Sequence, residues 1–304
     1  MARRERRTRV KERPVVGAPT ARDFASGVSP DWCPGCGDFG VLSSLQNAYA
    51  KLGRGNHEHL TVSGIGCSSN LPGYVQTYGM HTLHGRALAV ATGAKMANHE
   101  MNVVVTGGDG DGYGIGGNHF VHTMRKNVDL LYIVMNNQIY GLTVGQTSPT
   151  SLMGMKTYST PFGNIEEPIN PIALAIVAGA TYVARGFSGN PRQLADLMYN
   201  GMQHKGFALI DVFSPCVTFN KDNTFDFFKP RVQELPEDHD VSDKGVALEQ
   251  AVKWGDEIPI GLFYQDTERS SLEQMEPVLE NGPMAHQPLG ISKEQGEAII
   301  RRLM

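Results

Sequence analysis

Gly108-Asp109-Gly110 closes the apolar run Val103-Val104-Val105-Thr106, and Asn136-Asn137 closes the next, Leu130-Leu131-Tyr132-Ile133-Val134-Met135. In a parallel sheet the carboxyl ends of neighbouring strands share one edge, so these polar ends can meet although they lie far apart in the chain. Asp109, the side-chain oxygen of Asn137 and the carbonyl of Ile139 form a hard, oxygen-only donor set. Such a set, partly open, suits Mg²⁺ holding a diphosphate. Gly110 and Asp111 can add backbone N–H groups, helped by the N-terminus of the helix that follows. The stretch Asn136 to Thr143 then curls over the phosphates, with the Thr143 hydroxyl as a donor.

Rival readings of these residues are weaker. Gly112-Tyr113-Gly114-Ile115-Gly116-Gly117 satisfies G-x-G-x-x-G, but the next strand ends in asparagines where a dinucleotide site needs an acid for the ribose. Asp109-Gly110-Asp111 begins like a calcium loop, yet its fifth and twelfth positions are Tyr113 and Phe120. The plain alternative is that Asp109 caps the helix beginning near Gly116. His81 and His84, like His119 and His122, are spaced H-x-x-H, but neither pair has a third ligand at clear spacing. His84-Gly85-Arg86 opens a helix beside the site, which makes His84 and Arg86 candidate contacts.

Four cysteines lie in turn-rich settings: Cys33-Pro34-Gly35-Cys36-Gly37, Gly66-Cys67-Ser68 and Pro215-Cys216-Val217. In a reducing cytoplasm these are not structural disulfides. A lone C-x-x-C can be redox-active, zinc-binding or incidental; two further cysteines in comparable loops strengthen the functional readings.

The elements that must position these residues alternate. Helices are predicted over 40–52, 85–96, 117–125, 171–178 and 191–204, and strands over 60–63, 103–106, 130–135, 181–184 and 207–213. Continuous apolar strands alternating with helices point to an α/β, doubly wound parallel sheet. The stretch 141–171 is too long for an ordinary connector, as functional loops often are. Beyond 225 the alternation stops, leaving 243–254, 260–264 and 292–303 as candidate elements of a C-terminal appendage.

With 304 residues and a net charge of −4, the chain is one large domain plus an appendage and no dedicated nucleic-acid binder. The start is basic, with Arg3, Arg4, Arg6, Arg7, Arg9, Lys11 and Arg13 against Glu5 and Glu12, and reads as a solvated arm or a contact with a partner subunit. No run approaches the ~18 apolar residues of a membrane span, and no signal peptide is visible, so a cytoplasmic protein is expected.

The paired Gly-Asp-Gly and Asn-Asn ends resemble those of thiamine-diphosphate enzymes. With Trp32 to Gly37, Gly64 to Ser69, Tyr78-Gly79, His84-Gly85-Arg86, Gly108 to Asp111, Asn137 to Thr143, Gly145 to Thr150 and Ser214 to Phe219, the chain resembles the β subunit of 2-oxoacid:ferredoxin oxidoreductases over residues 30 to 220. The resemblance implies a thiamine-diphosphate-binding fold, divided into a basic N-terminal arm (1–29), a cofactor domain with cluster loops (30–225) and a C-terminal extension (226–304). It implies that Cys33, Cys36, Cys67 and Cys216 ligate one 4Fe–4S cluster, chemistry that thiolates from distant loops can perform. It also implies Mg²⁺ on Asp109, Asn137 and Ile139, with Ile65, Gly66, Cys67, Ser68, His84, Gly110, Asp111, Gly141, Leu142 and Thr143 around thiamine diphosphate. A structural zinc site in a non-redox thiamine enzyme, or a retired scaffold subunit, are the other readings.

The implied reaction is oxidative decarboxylation of a 2-oxoacid with coenzyme A as co-substrate and ferredoxin as electron acceptor. An α subunit is implied to supply the activating glutamate, in an (αβ)2 assembly. The chain has no C-x-x-C-x-x-C-x-x-x-C-P run of a two-cluster ferredoxin domain. Gly66 to Tyr74 and Tyr78 to Arg86 look most like members specific for 2-oxoglutarate, which gives succinyl-CoA; pyruvate or a broad range is the alternative. Arg86 could neutralise a distal carboxylate or serve the helix start.

Overall fold

The computed structural model describes residues 17–287 and 290–304, so most of the expected basic arm lies outside the described residues. Eight strands, β1 His59–Ser63, β2 Tyr78–His81, β3 Asn102–Gly108, β4 Leu130–Asn136, β5 Tyr182–Phe187, β6 Phe207–Phe213, β7 Val232–Glu234 and β8 Ile258–Gln265, form one sheet in the order β2-β1-β3-β4-β6-β5-β8-β7. Neighbours are parallel except β5 and β8. The helices are α1 Asp38–Leu52, α2 Leu71–Tyr74, α3 Ala87–Ala97, α4 Gly117–Lys126, α5 Pro171–Ala178, α6 Pro191–Gln203, α7 Phe225–Phe228, α8 Lys244–Ala251, α9 Leu272–Met275 and α10 Lys293–Leu303.

The central strands β4, β5 and β6 are buried at every position, and largely apolar, because both faces are covered. On β4, Leu130, Tyr132 and Val134 join Ala91 of α3, Phe120 of α4, Ile176 of α5 and Ala247 of α8. The alternate residues Leu131, Ile133 and Met135 join Leu45 of α1 and Met198 of α6. Two-residue periodicity thus assigns each side chain to one of two cores.

Register sets the functional edge. Ser63 pairs with Thr106, Gly108 with Met135, and Asn136 with Phe213. The chain therefore leaves β1, β3, β4 and β6 at one level, delivering Gly64 to Cys67, Asp109, Asn137 and Ser214 to Cys216 to the same rim.

Three features depart from the periodic pattern. The glycine-rich run Gly110–Ile115 winds as a π-type segment, with Gly116 N–H donating to the Asp111 carbonyl. Strand β2 is exposed along its whole length and carries no apolar run to betray it; it is an edge, paired only to β1. Past residue 225 the chain returns to the sheet: β8 pairs with β5, and Ala247, Ala251 and Phe263 enter the first core. No helix among the described residues is long and apolar enough to cross a membrane.

Ile133→Ala should cost about 2–5 kcal/mol in denaturant unfolding, because the residue is fully enclosed in β4. Met80→Lys on the exposed edge should stay within about 0.5 kcal/mol of wild type. Equal losses at both positions would contradict this two-core, open-edge packing.

Candidate functional site

A cavity of about 530 Å³ opens at this rim. Ile65, Gly66, Cys67 and His84 line it from one side, and Asn137, Ile139, Gly141, Leu142 and Thr143 from the other; Asp109, Gly110 and Asp111 form its floor. Its walls include Tyr140 and Gln146. Close backbone approach requires glycine here: a Cβ on Gly110 would fall 2.1 Å from the Tyr140 ring, and one on Gly64 1.9 Å from Asp111.

Asp109 is 2 % exposed, yet faces no cation among its hydrogen-bond partners. The Ser148 and Thr150 hydroxyls both donate to its Oδ2, at 2.5 and 2.6 Å. Burial, only partly offset by these donors, pushes its carboxyl up to about 6. Across the rim, the Asn137 side-chain oxygen accepts from Ile139 N–H at 3.1 Å. Between them Gln138 has a left-handed backbone, φ 56°, which a non-glycine residue holds only when its surroundings fix it. Three bonds do so: Gln138 N–H to Asn136 Oδ1, Gln138 Nε2 to the Thr150 carbonyl, and Ser151 Oγ to the Gln138 carbonyl.

Asp111 does more than offer backbone. Its Oδ1 accepts Ile65 N–H at 2.9 Å and Gly85 N–H at 2.7 Å, and His84 Nε2 stands 3.8 Å away. One buried carboxylate thus clamps the loop after β1 to the turn before α3. Thr143 donates to Gln146 Oε1, closing the turn it sits in.

The loops that carry the cysteines back onto the same cavity. A Cβ on Gly141 would lie 3.4 Å from Cys216 Sγ and 3.7 Å from Cys67 Sγ. Trp32 Nε1 donates to the Cys67 carbonyl, Gly37 N–H to the Pro215 carbonyl, and Ser214 Oγ to Asp38 Oδ1. These bonds tie the three loops together. Burial, reinforced by the Asp38 carboxylate, pushes the Cys67 thiol up to about 12 and the Cys36 thiol higher still. Cys33 and Cys216 are both within electrostatic reach of Cys67. Among the described residues no three His, Cys, Asp or Glu side chains are gathered as for a single metal ion.

The structure does not bring every candidate to the cavity. Ser68 lies just behind it, buried, with a hydroxyl that has no partner. Arg86 is not part of the lining; it precedes α3 and lies within electrostatic reach of His119 on α4. Its expected role toward a distal carboxylate is therefore not supported by position. His81 pairs with Ser63 Oγ, and His122 with Arg125. Ser148, Thr150 and Asp38 were invisible to motif reading as functional partners, although Gly145 to Thr150 offered the signal of a hydroxyl-rich turn inside a long loop.

The donor chemistry fits the groups implied by sequence. Asp109 lines the cavity while both hydroxyls are spent on Oδ2, the floor is glycine, and an orphaned hydroxyl waits at Ser68. The Cys67 and Cys216 thiols both lie beside Gly141.

Comparison with known proteins agrees with this geometry. Residues 55–212 match the family described as thiamine pyrophosphate enzyme, C-terminal TPP binding domain, and residues 216–281 match the family describing the C-terminal part of the pyruvate ferredoxin oxidoreductase beta subunit. The chain is 43% identical over 293 residues to 2-oxoacid:ferredoxin oxidoreductase 1, subunit beta, of Aeropyrum pernix, covering 91% of this chain and 92% of that one. It is 44% identical over 217 residues to the 2-oxoglutarate oxidoreductase subunit KorB of Mycobacterium tuberculosis, covering 69% of this chain and 58% of that one. A solved 2-oxoglutarate:ferredoxin oxidoreductase from Magnetococcus marinus, with 2-oxoglutarate, coenzyme A and succinyl-CoA bound, superposes with a TM-score of 0.86 at 46% identity, covering 92% of this chain and 96% of that one.

The buried Asp109 gives a pH test. Its metal-free folded form keeps a proton up to about 6, whereas the unfolded carboxyl releases it near the ordinary value of 3.8. The folded state is thus favoured below 3.8, and this contribution is lost as pH rises through 6. The melting temperature of metal-free protein should fall across that window, and Asp109→Asn should reduce the slope, leaving the part due to Asp38, which burial also raises to about 6. An identical slope in the variant would place the titration elsewhere.

Proposed function

The chain belongs to the β subunits of 2-oxoacid:ferredoxin oxidoreductases, and from that membership we propose that it serves an oxidative decarboxylation of 2-oxoglutarate to succinyl-CoA and CO₂, passing electrons through a 4Fe–4S cluster to ferredoxin. The observation that carries the reading is Gly141, which lines the cavity on one side and backs onto the Cys67 and Cys216 sulfurs on the other. Cys67 itself lines the cavity, so a group held there would lie against one cysteine and across the Gly141 backbone from Cys216.

Asp109 and the Asn137 side chain would hold Mg²⁺ with the Ile139 carbonyl, and Gly110, Asp111 and the turn Gly141-Leu142-Thr143 would enclose the diphosphate. Ser148 and Thr150 keep Asp109 Oδ2 occupied, orienting the carboxylate toward the cavity. Ile65, Gly66 and His84 would meet the organic part of the cofactor, with Ser68 behind them. When bound, thiamine diphosphate supplies the nucleophilic carbon and electron sink for decarboxylation, and the cluster supplies a one-electron exit. His84, 3.8 Å from Asp111, is placed to carry a proton at the cavity wall.

Cys33, Cys36, Cys67 and Cys216 would ligate the cluster as thiolates, the metal overcoming the raised proton affinity of Cys36 and Cys67. A reducing cytoplasm would keep them available. An α subunit would provide the activating glutamate and, since Arg86 lies off the cavity, the cation for a distal carboxylate. We assign residues 30–225 to the cofactors, 226–304 to an extension and 1–29 to a surface arm, within an (αβ)2 enzyme.

The substrate is testable in the αβ complex. Ferredoxin reduction with 2-oxoglutarate and coenzyme A should exceed that with pyruvate, the alternative substrate; faster pyruvate turnover would reverse the assignment. Asp109→Ala should abolish Mg²⁺-dependent thiamine diphosphate binding and leave iron content unchanged. Undiminished cofactor retention would move the metal site away from Asp109.

A further inference from the structure

The apolar strand β6 carries a carboxylate at its heart. Asp211 is 1 % exposed, and its register partner on β5 is Arg185, also buried. Replacing such a pair with apolar residues is often neutral or stabilising, so stability alone does not account for it. Arg185 directs its N–H groups to the carbonyls of Pro259 and Ala251, at 3.3 and 3.5 Å, rather than closing on the carboxylate. Asp211 instead accepts Tyr113 O–H at 2.9 Å and Asn136 Nδ2 at 3.0 and 3.3 Å. Both donors belong to segments that build the cavity: Tyr113 follows Asp109 and Asp111 in the π segment, and Asn136 ends β4.

The bond to Asn136 fixes which way its amide faces. With Nδ2 held by Asp211, Oδ1 faces Gln138 N–H at 3.3 Å and Thr150 Oγ1 at 2.9 Å. One branch holds the left-handed turn that presents Asn137 and Ile139. The other meets the Thr150 hydroxyl, which stands between Asn136 Oδ1 and Asp109 Oδ2, 2.6 Å away, and has one proton to give to either oxygen. If the amide turned over, Nδ2 would oppose the Gln138 N–H, donor against donor, and the turn would lose its support.

We propose that Asp211, acting through the Asn136 amide, is a positioning residue that holds both halves of the metal–diphosphate site, Asp109 on one side and Asn137 with Ile139 on the other. This rests on the reading of Asp109 as a Mg²⁺ ligand. Partners one step behind metal ligands commonly govern affinity by about 10- to 100-fold, and a change of that size is expected here.

The test is equilibrium binding of thiamine diphosphate to the αβ complex as Mg²⁺ is varied, with iron content and near-ultraviolet circular dichroism as folding controls. Asp211→Asn should raise the half-saturating Mg²⁺ concentration about 10-fold or more, and excess Mg²⁺ should restore binding. Asn136→Ala should do the same, and the double variant should match Asn136→Ala alone. Thr150→Val should weaken binding where Thr150→Ser preserves it. If Asp211→Asn does not accumulate, Tyr113→Phe, which removes one donor to the same carboxylate, should shift the Mg²⁺ requirement in the same direction. An unchanged requirement in the folded Asp211 or Tyr113 variant, multiplying effects in the double variant, or a loss that excess Mg²⁺ does not reverse would overturn the relay. Asp109→Ala separates the two ideas: binding retained there defeats the ligand assignment, whereas binding lost there with Asp211→Asn unaffected defeats only the relay.

Discussion

Burying two carboxylates two residues apart, at the end of one strand, is the constraint around which this rim is organised. A buried carboxylate must find directed donors or lose its charge. Asp111 finds backbone N–H groups at Ile65 and Gly85, and Asp109 finds the hydroxyls of Ser148 and Thr150. Satisfying them brings the loop after β1, the turn before α3 and the long loop after β4 to one place. The cavity is the space these four contacts leave.

Parallel register makes this possible and adds the cysteines. Because β1, β3, β4 and β6 end level, the loops bearing Cys67 and Cys216 leave the sheet beside the loops bearing Asp109 and Asn137. The Cys33–Cys36 loop joins them through the start of α1, where Asp38 accepts from Ser214. Gly141 lines the cavity beside Cys67, with the Cys216 sulfur behind it. A Cβ there would come into van der Waals contact with Cys216 Sγ, at 3.4 Å.

Much of this was legible in the sequence, for physical reasons. Val103 to Thr106 and Leu130 to Met135 are continuous apolar runs because each strand is covered on both faces, and runs of that kind announce themselves. Asp109, Asn137 and the four cysteines stood out because carboxylate, amide and thiol groups at strand ends have few purely structural uses. Strand β2 did not stand out: an exposed edge needs no apolar residues, and its hydrogen bonds to β1 leave no pattern. The roles of Asp111, Asn136 and Thr150 were hidden because they are set by side-chain direction across distant loops. Arg86, beside His84, precedes α3, in keeping with the helix-start role that the sequence left open for it.

The central proposal is that an iron–sulfur cluster would sit beside this cavity, next to Cys67 and Gly141. It is tested most directly by purifying the αβ complex without oxygen, measuring iron, sulfide and zinc, and recording the visible spectrum with and without 2-oxoglutarate and coenzyme A. The account predicts about four iron and four sulfide assigned to this chain, lost in Cys216→Ser, with absorbance bleached by the two substrates together. A colourless complex holding stoichiometric zinc would contradict it and leave a thiamine enzyme without a redox centre in this subunit.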